Sequence, residues 1–343
     1  MQTNAWVIDR PATGAYEAGC LRWVTLDLPP LSDGQILVRN LYASLDPTSR
    51  NWLKLEPHNN PFGLQVGAPM GGQNIAVVEA SRDPAWQAGD LVTGFLGWQE
   101  LEVTKPDGLS RIEPHPDIPL AAHLTIFSHI GRAASMGLLA VGQMKASDTV
   151  LVSGAAGATG CLAAQIAKAR GCRTVGIAGG AEKCAWLRDT LGLDGVVDYR
   201  GEDVATALRN LCPDGVDLYF DNVGGPLLDV VLTQMAIGCR IVVCGAMSQY
   251  DLASPEAAYG VKNLPMLLFR SARMEGFVVP QFIDRYAEFD LLLRALFLDG
   301  KLLHRPHIVR SLGSAPEALK LLFEGRNEGK LMVQVSDLPH GLC

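Results

Sequence analysis

A glycine-rich segment between an apolar strand and a helix-forming stretch constrains the fold of this chain more than any other feature. Thr149-Val-Leu-Val-Ser153 predicts a strand, and Cys161-Leu-Ala-Ala-Gln-Ile-Ala-Lys168 predicts a helix. The intervening glycines carry no Cβ, so the backbone can approach a pyrophosphate closely, and the following helix directs its unpaired N–H groups at that anion. The residues predicted to bind a dinucleotide here are Ala156, Gly157, Ala158, Thr159 and Gly160.

The glycine fingerprint itself departs from its usual form, because Ala155 stands where the first glycine is expected. The alternative interpretation is a Gly/Ala-rich turn that only lets a helix pack tightly on a strand. The strand before the segment and the helix after it favour the dinucleotide site, since the fingerprint requires that context.

Strand-like and helix-like segments alternate after this motif. This alternation indicates an α/β fold with a doubly wound parallel sheet. Predicted strands cover residues 149–153, 173–178, 196–199, 216–220, 240–245 and 273–279, and predicted helices cover residues 181–191, 201–211, 226–235 and 281–298.

Ligands of such sheets bind beyond the carboxyl ends of the strands. Four segments rich in Gly, Ala, Asn and Ser fall at predicted strand ends, at residues 154–160, 178–183, 221–225 and 245–248. Gly179 and Ser248 are therefore predicted to line a crevice formed mainly by backbone.

The end of the second predicted strand indicates which dinucleotide binds. NAD sites place Asp or Glu there to bind the ribose hydroxyls, whereas this chain reads Ile177-Ala-Gly-Gly180. Lys183, Tyr199 and Arg200 follow, and two cations and a phenol can converge on a 2′-phosphate. The sequence thus favours NADP over NAD, with Glu182 as a substitute acid in the alternative interpretation.

Composition restricts the classes of protein and partner. A chain of 343 residues with 48% apolar content suggests two globular domains, and a net charge of −7 without a basic block argues against a nucleic-acid partner. No secretory leader or membrane span is expected. The eight cysteines are scattered and the seven histidines form no recognised cluster, His304 and His307 included, so reduced thiols in the cytoplasm and no metal are predicted.

The regions outside the predicted sheet differ in kind. Short strand-like runs such as Gln35-Ile-Leu-Val-Arg39 and Ile75-Ala-Val-Val-Glu79, separated by Pro- and Gly-containing turns, predict a β-rich N-terminal domain. Residues 123–141 predict helices that lead into the sheet, and Leu331-Met-Val-Gln-Val335 predicts a strand that returns to the first domain.

Several segments along the chain carry a family resemblance. The sequence resembles the zinc-independent branch of the medium-chain dehydrogenase/reductases, within the group of prostaglandin reductases and alkenal double-bond reductases. Where zinc-dependent members have Gly-His-Glu, this chain has Gly67-Ala-Pro-Met70. The matching segments are Leu45-Asp-Pro47 with Arg50, Ala88-Gly-Asp-Leu-Val92, Gly97-Trp-Gln-Glu100, Ser153-Gly-Ala-Ala-Gly157, Phe220-Asp-Asn-Val-Gly-Gly225, Cys244-Gly-Ala246, Glu275-Gly-Phe-Val-Val279 and Asn327-Glu-Gly-Lys330.

The resemblance implies a GroES-like catalytic domain over residues 1–127, a Rossmann NADP-binding domain over 128–303 and a return to the catalytic domain over 304–343, with the active site between the domains. It also implies that Lys183 and Tyr199 hold the 2′-phosphate. Further cofactor contacts implied by the resemblance are Asn222, Cys244, Gly245, Ala246, Phe277, Val278, Val279 and Asn327, and Tyr250 is implied near cofactor or substrate.

Two departures from the family pattern concern the substrate pocket. This chain reads Asp46-Pro-Thr-Ser-Arg50 where the family has Asp-Pro-Tyr-Met-Arg, and Arg132-Ala-Ala-Ser135 where it has Leu-Thr-Ala-Tyr. Loss of two aromatic side chains predicts a larger pocket. Arg50, Arg132 and Tyr250 are its predicted residues, and the alternative for Arg132 is a solvated helix residue.

The implied reaction is NADPH-dependent reduction of the C=C bond of an α,β-unsaturated ketone or aldehyde. Hydride goes to the β-carbon, and the enolate oxygen needs only a hydrogen-bond donor, for which Tyr250 is the candidate; otherwise Tyr250 only closes the pocket. The alternatives are an NADPH quinone reductase and a nucleotide-binding relative without turnover. A homodimer through the sheet edge near residues 273–279 is expected from the resemblance.

Overall fold

The computed structural model describes residues 1–56, 61–252 and 254–339, and it divides them into two compact units. Unit 1 comprises residues 1–124 together with the chain from residue 306 onward, and unit 2 comprises residues 125–305. The predicted domain boundaries lie two or three residues away. Residues 303–305 belong to unit 2 because the Leu303 amide donates to Gln165 Oε1 at 2.6 Å and Arg305 lies 4.1 Å from the Trp186 ring centroid.

Unit 1 is β-rich, as predicted. The elements are β1 Gln2–Ile8, β2 Leu21–Asp27, β3 Ile36–Ser44, α1 Ser49–Trp52, β4 Gly71–Ser81, β5 Leu91–Gly97, β6 Leu101–Thr104, β7 Ser110–Ile112, and then, from the end of the chain, β14 Pro306–Arg310, α9 Ala315–Phe323 and β15 Lys330–Gln334. The first two strands, β1 and β2, form a two-stranded antiparallel sheet. The others form a mixed sheet in the order β14-β15-β3-β4-β5-β7, with β6 paired to β3.

The returning tail is part of this sheet. β15 pairs antiparallel with β3, with Met332 opposite Ser44, and parallel with β14. Leu331, Met332 and Val333 are buried, so the apolar run in the tail supplies a central strand.

Unit 2 contains the predicted parallel sheet. The elements are α2 His129–Met136, a π-helical turn Gly137–Val141, β8 Thr149–Ser153, α3 Ala158–Ala169, β9 Arg173–Ala178, α4 Ala181–Ala185 followed by a π turn Trp186–Thr190, β10 Gly195–Asp198, α5 Val204–Leu211, β11 Val216–Asp221, α6 Gly225–Leu232, β12 Met235–Val243, α7 Met266–Phe269, β13 Arg273–Gly276 and α8 Tyr286–Leu298. All five strand pairs are parallel, and the order is β10-β9-β8-β11-β12-β13. This is the Rossmann order, with its reversal between β8 and β11.

Several predicted element bounds were wrong. β12 begins at Met235 rather than at residue 240, because a register shift opposite β11 lets it start early, and α6 therefore ends at Leu232. β13 ends at Gly276 instead of residue 279. The predicted helix from residue 281 begins as a 3-10 segment with non-helical φ and ψ at Phe282, and α8 starts only at Tyr286.

The core of unit 2 explains why α3 lies tightly on the sheet. Eight consecutive residues of α3, from Gly160 to Ala167, are buried. All of them except Gln165 are apolar residues, a cysteine or glycine. Ala155 is fully buried, and a Cβ on Gly176 of β9 would lie 2.9 Å from the Ala155 methyl. Alanine at the usual first glycine position is thus accommodated by a glycine on the neighbouring strand.

Candidate cofactor and active site

The loop between β8 and α3 has the shape of an anion site. Gly154 has a φ of +59°, a conformation that favours glycine, and its carbonyl accepts the Gly157 amide at 2.9 Å. A Cβ on Gly160 would lie 2.2 Å from Gly154 O. Only glycine fits there, and α3 begins with no acidic side chain in its first turn. The unpaired amides of this turn and the positive end of the helix suit a pyrophosphate.

The adenine-side residues meet at the ends of β9 and β10. The Tyr199 ring lies over Gly179, where a Cβ would be 2.6 Å from the ring, and Arg200 lies 5.7 Å from the centroid of that ring. Lys183 is half-buried in α4. The structure therefore brings Gly179, Tyr199 and Arg200 together and leaves one side of the phenol exposed.

Asp198 holds this corner in place, and sequence reasoning gave it no role. Its Oδ1 accepts the Gly180 amide at 2.8 Å and the Arg200 amide at 3.0 Å. The hydrogen bond from Gly180, followed by that from Arg200, lowers the pKa of this carboxyl. The signal in the sequence was an acidic residue at the end of one predicted strand, Asp198, together with the glycine pair Gly179-Gly180 at the end of the preceding strand.

The ends of β8, β11 and β12 form a second corner. Asn222 is buried, and its amide group donates to Ser153 O at 2.7 Å. The loop after β12 lies against the same residue, since a Cβ on Gly245 would be 3.3 Å from Asn222 O. Ser248 Oγ donates to Val223 O at 2.7 Å. The predicted cofactor residues of these two loops are therefore adjacent in the structure.

Asp221 organises this second corner, which the sequence did not reveal. It is fully buried, and its Oδ1 accepts bonds from Ser153 Oγ at 2.9 Å and Tyr219 Oη at 2.7 Å. An aspartate and a serine at the ends of otherwise apolar strands were the signal that could have found the pair.

Tyr250, the candidate hydrogen-bond donor, is half-buried beside the loop after β12. Its hydroxyl accepts the Ala246 amide at 3.1 Å, which leaves its own proton available to another acceptor. Burial raises the pKa of the Tyr250 phenol, and burial raises that of the neighbouring Cys244 thiol to about 12. Both groups are thus uncharged at neutral pH, and Tyr250 can act there only as a neutral donor.

Phe277, Val278 and Val279 follow β13. Phe277 packs against the core of unit 2, and a Cβ on Gly137 would lie 3.0 Å from its ring. Val278 is exposed, and its amide donates to Gln281 Oε1 at 3.2 Å. Their predicted contact with the cofactor stays a prediction.

The predicted substrate residues lie in different surroundings. Arg132 of α2 donates two hydrogen bonds to Asp290, at 2.8 and 2.6 Å, and lies 4.2 Å from the Tyr286 ring centroid. This pairing favours the alternative of a structural helix residue, although a contact with substrate stays a prediction. Arg50 of α1 is fully buried in unit 1.

Asn327 lies in unit 1, in the turn before β15, where its side-chain amide donates to Gly329 O at 2.9 Å. The same turn ends at Lys330, whose Nζ donates to Leu45 O at 2.9 Å and to Asp46 Oδ1 at 2.7 Å, and Ser44 donates to the second oxygen of Asp46. Two of the segments that carry the family resemblance are therefore joined by one buried ion pair. The cofactor contact of Asn327 stays a prediction.

Within residues 1–56, 61–252 and 254–339, no group of three or more His, Cys, Asp or Glu side chains could hold a metal ion. His58, His340 and Cys343 lie outside the described residues. In the same part of the chain, no helix combines the length and apolar character needed to cross a bilayer.

The Rossmann sheet, the glycine loop at the start of α3 and the polar corners at the strand ends define a nucleotide-dependent oxidoreductase. Residues 4–112 match the family model described as the N-terminal domain of oxidoreductase, and residues 158–296 match the model described as zinc-binding dehydrogenase. The chain belongs to the medium-chain dehydrogenase/reductase family, in its zinc-independent branch.

Relatives along the full length support the same assignment. The chain is 35% identical over 340 residues to the NADPH-dependent curcumin reductase of Escherichia coli, covering 98% of this chain and 97% of that protein. It is 39% identical to the NADP(+)-dependent 2-alkenal reductase of Nicotiana tabacum, with 91% of each covered. The crystal structure of CurA from Vibrio vulnificus in complex with NADPH superposes with a TM-score of 0.90 at 34% identity, over 98% of this chain and 100% of that chain.

Proposed function

We propose that this protein reduces the C=C bond of α,β-unsaturated ketones or aldehydes with NADPH. The observation that carries the proposal is the cofactor fold described above, found in a chain whose full-length relatives are named as NADPH-dependent reductases of such compounds. The predicted cofactor and the predicted reaction class are confirmed by these relatives.

The residues of unit 2 fit NADPH. The amides that begin α3 and the glycine-lined loop before them receive the pyrophosphate. Gly160 lets this loop lie close to the helix, since a Cβ there would be 2.2 Å from Gly154 O. Lys183, Tyr199 and Arg200 receive the 2′-phosphate, because the two cations compensate its charge and the phenol can donate a hydrogen bond to it. Asn222 and the loop with Cys244, Gly245 and Ala246 receive the nicotinamide half.

The chemistry asks little of ionisable side chains. Bound NADPH would supply a hydride that forms a C–H bond at the β-carbon, and it would leave as NADP⁺. The C=C electron pair then forms the bond between the α-carbon and the carbonyl carbon, and the carbonyl π pair moves onto oxygen. A proton from solvent later adds at the α-carbon and restores the carbonyl. A neutral Tyr250 is a hydrogen-bond donor suited to the developing oxyanion. The rest of the protein's contribution is orientation and exclusion of water.

Deuterium transfer tests the reaction directly. With an acyclic enone and NADPH labelled on C4, we expect a saturated ketone that carries deuterium on the β-carbon, measured by mass spectrometry and NMR. Deuterium on the carbonyl carbon of an allylic alcohol would overturn the proposal. Steady-state rates with a naphthoquinone in the same assay test the quinone reductase alternative, and tight NADPH binding without oxidation across an enone panel would indicate the non-catalytic alternative.

We also propose that two copies associate through the β13 edge of unit 2. β13 is the last strand in its sheet and therefore presents unpaired backbone groups. Nearby apolar side chains are unusually exposed, with Leu268 at 78% and Phe269 at 70% in α7, and Ile237 at 70% in β12. An exposed apolar patch next to a strand edge is typical of a subunit interface.

Sedimentation analysis tests the dimer. Leu268→Glu together with Phe269→Glu is expected to yield monomers, whereas Val66→Glu, at a residue of unit 1 that is 55% exposed, leaves the dimer intact. A monomeric wild type would contradict the proposal.

A cytoplasmic location is proposed from the thiols. The seven described cysteines are free, and six of them are buried, which suits a reducing compartment. Fractionation of the native cell, with detection of the protein in the soluble cytoplasmic fraction, checks this proposal.

A further inference from the structure

One oxygen of Asp221 carries an unusual number of hydrogen bonds. Besides the hydroxyls of Ser153 and Tyr219, Asp221 Oδ1 accepts the backbone amides of Val223 at 2.9 Å and Gly224 at 3.0 Å. Four donors on one atom fix both the carboxylate and the turn that follows β11. The carboxylate is fully buried at the reversal point of the sheet.

The backbone of Asp221 extends the same connection to the next strand. Its carbonyl accepts the amides of Cys244 at 2.9 Å and Gly245 at 3.1 Å. On the other side, Ser153 Oγ both donates to Asp221 and accepts the Asn222 amide at 2.9 Å. One residue therefore joins the ends of β8, β11 and β12 through hydrogen bonds of side chain and main chain.

The buried charge is not neutralised by a neighbouring cation. In the part of the chain that the structure describes, Asp221 forms no ion pair, and its Oδ2 is buried without a hydrogen bond. Burying a carboxylate is costly, so hydrogen bonds must offset the lost hydration. Ser153 ends β8, Tyr219 lies in β11, and the two amides lie in the turn after β11. That stabilisation therefore depends on the ends of β8 and β11 keeping their arrangement.

The adenine corner is built separately. Its loops follow β9 and β10, on the other side of β8 in the sheet order, and Asp198 rather than Asp221 holds them through Gly180 and Arg200. Each half of the cofactor site thus has its own carboxylate.

We propose that Asp221 is a positioning residue for the nicotinamide half of NADPH: it sets the arrangement of the loops after β8, β11 and β12 and leaves the adenine subsite unaffected. This inference rests on the proposed function, in which those loops receive the cofactor. The Asp221 carboxylate acts through Ser153, which also accepts the Asn222 amide, and through the amides of the turn after β11. Its main-chain carbonyl holds the loop after β12, and Asp221 does not itself touch the cofactor.

Calorimetry with two probes tests the inference. Asp221→Ala is expected to raise the Kd of NADPH by about 10- to 100-fold, because the loss of charge-assisted bonds at the loops weakens the nicotinamide half. The Kd of adenosine 2′-monophosphate, which carries the 2′-phosphate and lacks both the pyrophosphate and the nicotinamide, stays unchanged. Asp221→Asn keeps one acceptor oxygen and is expected to restore part of the NADPH affinity.

A matched control separates positioning from general stability. Asp148 is also a buried carboxylate, but it lies just before β8 at the opposite edge of the sheet, where it accepts the Lys145 amide at 2.7 Å and pairs with Arg240 at 2.7 Å. Asp148→Asn is expected to lower the melting temperature with no change in either Kd.

The outcomes are distinguishable. An equal loss of affinity for both probes in the Asp221 variants would overturn the inference. So would a loss of NADPH affinity in Asp148→Asn as large as that in Asp221→Ala. If Asp221→Ala does not fold, Tyr219→Phe and Ser153→Ala each remove one donor, and the same split between the probes is expected. A wild type that binds neither NADPH nor adenosine 2′-monophosphate would instead refute the proposed function.

Discussion

The ring of Tyr199 occupies the space that a side chain on Gly179 would need, since a Cβ there would lie 2.6 Å from the ring. The two residues directly follow neighbouring parallel strands, β10 and β9, whose register pairs Asp198 with Ala178. The fold therefore places the exposed phenol of Tyr199 directly against the Gly179 backbone at the predicted 2′-phosphate site.

Gly179→Ala is expected to displace the Tyr199 ring and weaken NADPH binding. The φ of Gly179 is not in the left-handed region, so the substitution adds no backbone strain, and the half-exposed ring can move with little loss of stability. We expect the Kd of NADPH to rise roughly tenfold, or about 1.4 kcal/mol, at an almost unchanged melting temperature. An unchanged Kd would show that the ring does not contribute to binding.

Lys183→Ala is expected to reduce selectivity for NADPH. Loss of a charge-assisted contact to the 2′-phosphate costs about 1 to 3 kcal/mol, which should appear in the KM for NADPH and hardly in that for NADH. Lys168→Ala, at the end of α3 and bonded to Gly192 O, is the control and should change neither KM. Equal losses for both nucleotides would contradict the assignment of Lys183.

Gly160→Ala is expected to disrupt the pyrophosphate loop itself. Its Cβ would lie 2.2 Å from Gly154 O, so the backbone must shift, at a cost of about 1 to 3 kcal/mol in unfolding free energy and with loss of NADPH binding. Gly19→Ala, in unit 1, is the matched control, because its Cβ would meet only the end of the Arg10 side chain at 3.8 Å. Urea unfolding and calorimetry measure both effects, and equal behaviour of the two variants would refute the close approach.

Lys330→Met is expected to destabilise the protein strongly. Lys330 is 2% exposed, and its removal leaves the Asp46 carboxylate buried without its cation, which typically costs about 3 to 5 kcal/mol. Burial lowers the pKa of Lys330 and Asp46 opposes that shift. The double variant with Asp46→Asn should recover part of the loss in chemical denaturation. Independent, additive losses would mean that the pair is not coupled.

Stability is expected to fall in alkaline solution because of the buried thiols. Burial raises the pKa of Cys161, Cys239 and Cys244 to about 12 in the folded protein. The folded state therefore retains protons that the unfolded chain releases near pH 9, and the stabilisation present below that pH is lost as the pH rises toward 12.

Each such thiol contributes a slope of up to about 1.4 kcal/mol per pH unit. Urea unfolding at pH 8 and at pH 10, compared between the wild type and Cys161→Ala, measures the slope of one thiol. The variant should show the smaller decrease. A decrease identical to that of the wild type would exclude Cys161 as a cause.

The sequence alone determined the parallel sheet and the glycine loop between β8 and α3, for which pyrophosphate binding is proposed. These depend on local properties, namely the apolar period of strands and helices and the missing Cβ at Gly157 and Gly160. The absence of an acid in Ile177-Ala-Gly-Gly180 likewise sufficed to predict NADP. Strand ends were less accurate, as β12 and β13 show, because pairing with neighbouring strands sets them.

Only the tertiary structure decided what the charged side chains do. Arg132 finds Asp290 at a separation of 158 residues, and Lys330 finds Asp46 at a separation of 284. The roles of Asp221 and Asp198 also depend on which strand ends lie side by side. Local sequence patterns specify elements, whereas the partner of a buried charge depends on the order of the strands, which places residues that are distant in the chain within hydrogen-bonding distance.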